Sequence, residues 1–166
     1  TEEKQTLLVA VDLNDNSSIE LAQRLAGFTS DLLEVLFAPI DSSAKVPDGI
    51  SLVSETVDTY ALQHPQVPVV SLVDCRAQNE CAPVATLSLV QAFVRKGITN
   101  PWTVVGFGCK VSSRALLGFK RVVENEQPQL DLRWAGLCDE SDETLCAFLS
   151  WVAGEAAGGI NVPFVA

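Results

Sequence analysis

Residues 69–107 read VVSLVDCRAQNECAPVATLSLVQAFVRKGITNPWTVVGF, and this stretch decides the fold. Val69–Val73 is apolar except at Ser71, with no strict polar alternation, the pattern of a strand buried on both faces. Pro83 suits the first turn of a helix, where its missing N–H would have had no partner anyway. From there the pattern predicts a helix running to Lys96 and stopping at Gly97. Trp102–Phe107 is a second buried run. Strand, helix and strand in that order, with a connection this long, fit a parallel pair joined by a crossover helix.

The same alternation extends in both directions. Towards the N-terminus, Thr6–Val11 (TLLVAV) is a strand and Asp12–Asn16 a polar turn. Ser17 is expected to open a helix, with Glu20 at the spacing of a capping box. Ile19, Ala22, Leu25 and Ala26 share one helical face. Leu32–Phe37 reads as the next strand. Residues 41–66 are punctuated by Asp41-Ser42-Ser43, Pro47-Asp48-Gly49 and His64-Pro65, all loop signals. Within them Thr56–Leu62 fits a short helix or a strand, and periodicity does not choose.

Towards the C-terminus, Ser112 and Ser113 can cap a helix to Asn125 that Pro128 ends. Leu130–Leu137 is a strand. Ser141 caps a last helix whose first turn carries Asp142 and Glu143 on the favourable side of the helix dipole. Leu145, Phe148, Leu149 and Val152 form its apolar stripe, and Gly154 lies near its end. Ile160–Val165 is a short closing strand. The expected fold class is α/β, a mostly parallel sheet with helices on both faces, three layers over residues 1–166 as one domain.

Composition narrows the function. The net charge is −10, with 11 basic residues scattered singly, so there is no electrostatic footprint for nucleic acid. Only 19% of residues are charged while 48% are hydrophobic, which hints at extra surface buried against a partner. No apolar run reaches the roughly 18 residues of a membrane span. Cys75, Cys81, Cys109, Cys138 and Cys146 fit no C-x-x-C pair and His64 is the single histidine. Five reduced thiols in a cytoplasmic protein are the expectation, and no metal site. With no methionine in the sequence, the chain is expected to be a piece of a longer one.

The motifs of catalysis and cofactor binding are missing. A dinucleotide site needs G-x-G-x-x-G after the first strand, so that backbone can approach a pyrophosphate at a helix N-terminus. Here Asp12-Leu13-Asn14-Asp15-Asn16 follows that strand, and the next glycine is Gly27. Gly106-Phe107-Gly108 lacks the third glycine and reads as a turn leaving a strand. A short-chain reductase pairs a tyrosine with a lysine four residues on; the single tyrosine, Tyr60, has His64 there. Asp12 and Asp15, with Asp41, Asp74 and Lys110, could form a phospho-acceptor cluster, but solvated loop carboxylates explain them as well. A thiol with His64 is the remaining nucleophilic combination. Trp102, Trp134 and Trp151 are expected in the core or at a subunit contact.

Residues 67–166 resemble the structural subdomain of ketoreductase regions in polyketide synthases and animal-type fatty acid synthases. The likeness is best in Arg114-Ala115-Leu116-Leu117-Gly118-Phe119-Lys120-Arg121-Val122-Val123-Glu124-Asn125-Glu126-Gln127-Pro128-Gln129-Leu130. The family carries a helix like P-L-W-G-L-G-R-V followed by E-H-P-E-L. Gly118, Arg121, Val122, Glu126, Pro128 and Leu130 match it. Leu117, Lys120 and Gln127 replace a frequent tryptophan, glycine and histidine. The stretches LSLVQAFVRK (87–96), WTVVG (102–106) and GINVPFV (159–165) are similar in order and spacing.

The resemblance implies a truncated Rossmann-like, short-chain-reductase-like domain with no catalytic, cofactor-binding or metal residues of its own. Its partner would be the catalytic ketoreductase half, which holds NADPH, and in some synthases an inserted enoylreductase. This chain alone would be no enzyme, though part of a multifunctional synthase in the cytoplasm, away from nucleic acid and membrane. A bracing role also leads to an expectation of a contiguous apolar patch or an open sheet edge. Two alternatives are a free-standing flavodoxin- or receiver-like α/β module or complex subunit, and a small cysteine-dependent enzyme.

Overall fold

A computed structural model describes residues 5–28, 33–41, 49–74, 82–107, 121–137, 141–158 and 164–165. The runs of strand formers build one sheet: β1 (Gln5–Val11), β2 (Leu33–Pro39), β3 (Val69–Asp74), β4 (Trp102–Phe107), β5 (Leu132–Leu137) and the two-residue β6 (Phe164–Val165). Their order is β2-β1-β3-β4-β5-β6, and every pairing is parallel. Leu52 forms one further parallel bridge to Phe37, and Val53 N–H donates to the Phe37 carbonyl at 2.8 Å. Among the described residues this bridge is the pairing found outside β2. The result is a Rossmann-like three-layer fold.

Alternate residues of the strands feed two separate cores. Leu7, Val9 and Val11 of β1, with Val105 and Phe107 of β4, pack under α1 (Asn16–Ala26) and the last helix. Leu8 and Ala10, with Trp102 and Val104, face α2 (Val57–Gln63), α3 (Ala82–Lys96) and α4 (helical residues 121–126). The last helix, α5 (Asp142–Gly158), presses Leu145, Phe148, Leu149 and Val152 onto the first core. Because side chains alternate across a strand, the continuous apolar runs are what let one sheet serve both layers. Trp102 and Trp134 lie in the second core, whereas Trp151 is half-buried against the first.

Local chemistry sets the ends of the elements. α1 begins one residue before Ser17, because Asp15 rather than Ser17 is the N-cap: its Oδ1 accepts from Ser17 N–H at 3.0 Å. A turn closed by Asp15 N–H donating to the Asp12 carbonyl brings the chain into the helix early. α3 stops at Gly97, whose φ of +68° suits a residue without a Cβ, and Ile98 N–H closes back on the Phe93 carbonyl at 2.9 Å. Ser141 caps α5 through its Oγ, which accepts from Thr144 N–H at 3.3 Å, and the helix runs past Gly154 to Gly158. β5 starts at Leu132 rather than Leu130, since Leu130 N–H bonds to the Gln127 carbonyl in the turn that follows α4. The Thr56–Leu62 stretch resolves as helix. Ser112 and Ser113 lie outside the described residues, as do 160–163 of the expected closing strand.

Candidate functional site

In an open α/β sheet, ligands bind beyond the carboxyl ends of the strands, where the strand order reverses. That point lies between β1 and β3. The described groups there are the Asp12–Asp15 turn, the first turn of α1, and Asp74 as the last residue of β3. Asp12 Oδ1 accepts from Asn14 N–H at 3.0 Å. Both oxygens of Asp15 are engaged, Oδ1 with Ser17 N–H at 3.0 Å and Oδ2 with the hydroxyl of buried Ser18 at 3.1 Å.

This geometry reverses the electrostatics of a phosphate site. A bare helix N-terminus attracts an anion because its first N–H groups have no partners. Here Asp15 supplies the anion from the chain itself and stabilises the helix in doing so. A phosphate brought to about 4 Å from that carboxylate meets a repulsion of about 4 kcal/mol at the effective dielectric of a protein surface. The missing glycines and the present carboxylate therefore act in the same direction.

The other sequence candidates do not assemble with this turn. Gly106 lies inside β4, in register with Val73 on one side and Gly136 on the other, rather than in a turn leaving the strand. Gly108 and Lys110 lie outside the described residues, as do Cys75, Cys81, Cys109 and Cys138. Asp41 is exposed just beyond β2. His64 ends α2, exposed, with its ring stacked on Tyr60 at a centroid distance of 4.2 Å. Exposed Cys146 sits on α5, in the helical layer across the sheet from α2, so these two cannot form a nucleophile–base pair. Among the described residues no three His, Cys, Asp or Glu side chains are grouped to hold a metal.

Two features escaped the sequence reading. One is a cleft of about 220 Å³ where the end of α4 meets the start of β5. Val123, Leu130 and Leu132 supply its apolar surface, and Glu124, Gln127 and Asp131 its polar surface. The Glu126–Leu130 turn was visible as a motif, but nothing in it announced that Asp131 would border a hollow. The other is Arg133, 3% exposed as the second residue of an otherwise apolar strand. Its Nη2 lies 3.6 Å from Asp131 Oδ2, and its Nε has no hydrogen-bond acceptor.

The polar contacts elsewhere hold elements together. Asp58 on α2 is bridged by Lys96 of α3 at 2.8 Å and accepts from the Thr56 hydroxyl at 2.6 Å. Burial pushes the Asp58 carboxyl up, but the bonds from Lys96 and Thr56 outweigh it and hold the carboxyl below its ordinary value. Burial, followed by the charges of Glu34 and Glu55, raises the Tyr60 hydroxyl. Exposed large apolar side chains among the described residues are Leu62, Leu87 and Val122, one each on α2, α3 and α4.

No protein-family model matches the chain, and no curated protein matches it. No helix among the described residues is long and apolar enough to cross a membrane.

Proposed function

We propose that this chain is a non-catalytic structural subdomain that packs against and stabilises the catalytic ketoreductase half of a polyketide or fatty acid synthase. An adjacent enoylreductase would be a second neighbour where one is inserted. The observation that carries the reading is the α1 N-terminus at the switch point, occupied by the chain's own Asp15 in a sheet of Rossmann-like order. A Rossmann-like sheet whose phosphate position is filled by a carboxylate retains the architecture and loses its ordinary ligand. NADPH is then a ligand of the neighbouring half, and the reaction belongs to the synthase rather than to this chain. The synthase reading places the chain in the cytoplasm.

The sequence likeness over residues 67–166 supplies the family. Of its best stretch, 121–130 are described: a helical segment to Glu126 and then the Gln127–Leu130 turn into β5. The order β2-β1-β3-β4-β5 alone would equally suit a flavodoxin- or receiver-like module. The Leu52 bridge outside β2 and the β6 pairing beyond β5 favour the longer, Rossmann-like order.

The test uses this chain and the separately expressed catalytic half of the same synthase. Calorimetry of this chain with NADPH is expected to give no saturable heat; binding tighter than about 1 mM overturns the reading. Adding this chain to the catalytic half is expected to raise its thermal midpoint and its NADPH-dependent reduction of a model ketone. A catalytic half equally stable and active without it also overturns the reading.

A further inference from the structure

We draw no further inference here: the strongest candidate, the buried Arg133 guanidinium on the α1 and α5 side of β5, whose Nε has no hydrogen-bond acceptor, is enclosed beside Asp131, and nothing in the structure shows a ligand or partner group that would reach it.

Discussion

Asn100 shows how one polar side chain can organise a loop. It is 2% exposed, and its amide donates to the His64 and Val67 carbonyls, each at 2.9 Å. Both acceptors belong to the connection between α2 and β3. Removing this buried donor takes its bond from the Val67 carbonyl, whereas the His64 carbonyl still accepts from Val67 N–H at 3.1 Å, and losing a buried acceptor's partner costs more than the net value of the bond. Asn100→Ala is expected to lower stability by about 1–3 kcal/mol, read from the urea midpoint. The Asp58–Lys96 pair acts through charge instead. The folded-state carboxyl of Asp58 is depressed, so its contribution is present above the ordinary carboxylate value near 3.8 and is lost as pH falls through the folded-state value. Asp58→Asn should therefore cost about 1 kcal/mol at pH 7, and the gap from the parent chain should close as pH is lowered below about 4. Urea titrations at pH 7 and pH 3 measure both arms, and a gap that widens in acid would show the sign to be wrong.

At the scale of elements, α2 depends most on its neighbours. Its seven residues fall below the roughly 12–15 that an isolated helix needs. Val57 and Ala61 seat it on the sheet, while Asp58 and the Asn100 bonds fix its two ends. Tyr60–Gln63 amides are expected to exchange with deuterium well before those of β1 and β4, whose strands are paired on both sides. Exchange as slow as in β4 would show that α2 opens only with global unfolding. The weakness of α2 also explains its illegibility in sequence, because Val57–Gln63 is too short for an apolar period to separate helix from strand. By contrast, Thr6–Val11, Val69–Val73 and Trp102–Phe107 were legible because strands buried on both faces are apolar nearly throughout, broken here by Thr6, Ser71 and Thr103. Asp15 was harder to read than Ser17: both can cap, and the Asp12–Asp15 turn decided between them. The hollow at 123–132 was illegible because the end of α4, the turn after it and the start of β5 make it only when they pack together. Arg133 was hidden for a related reason, since its burial follows from the neighbours of β5 and not from its own side chain.

For the whole molecule, the sheet is the shared wall of two cores. Each buried strand contributes alternate residues to the layer under α1 and α5 and to the layer under α2, α3 and α4. Losing packing on one face therefore loosens strands that the other face also needs. Phe148, fully buried beneath α5, and Phe93, fully buried beneath α3 with its ring 4.8 Å from that of Trp102, stand on opposite sides of that wall. Each is expected to cost about 3–5 kcal/mol when replaced by alanine. If the sheet couples the two layers, either substitution lowers the midpoint of one cooperative transition, and fluorescence and circular dichroism trace the same curve. If each layer instead had its own stability, Phe148→Ala would split the transition, the α5 side melting first while the Trp102 environment stayed native. Coupling is what a brace requires, since a load taken up through one helical layer reaches the other only through a sheet that both layers hold rigid. A split transition would leave the chain an α/β domain and remove the mechanical basis for a supporting role.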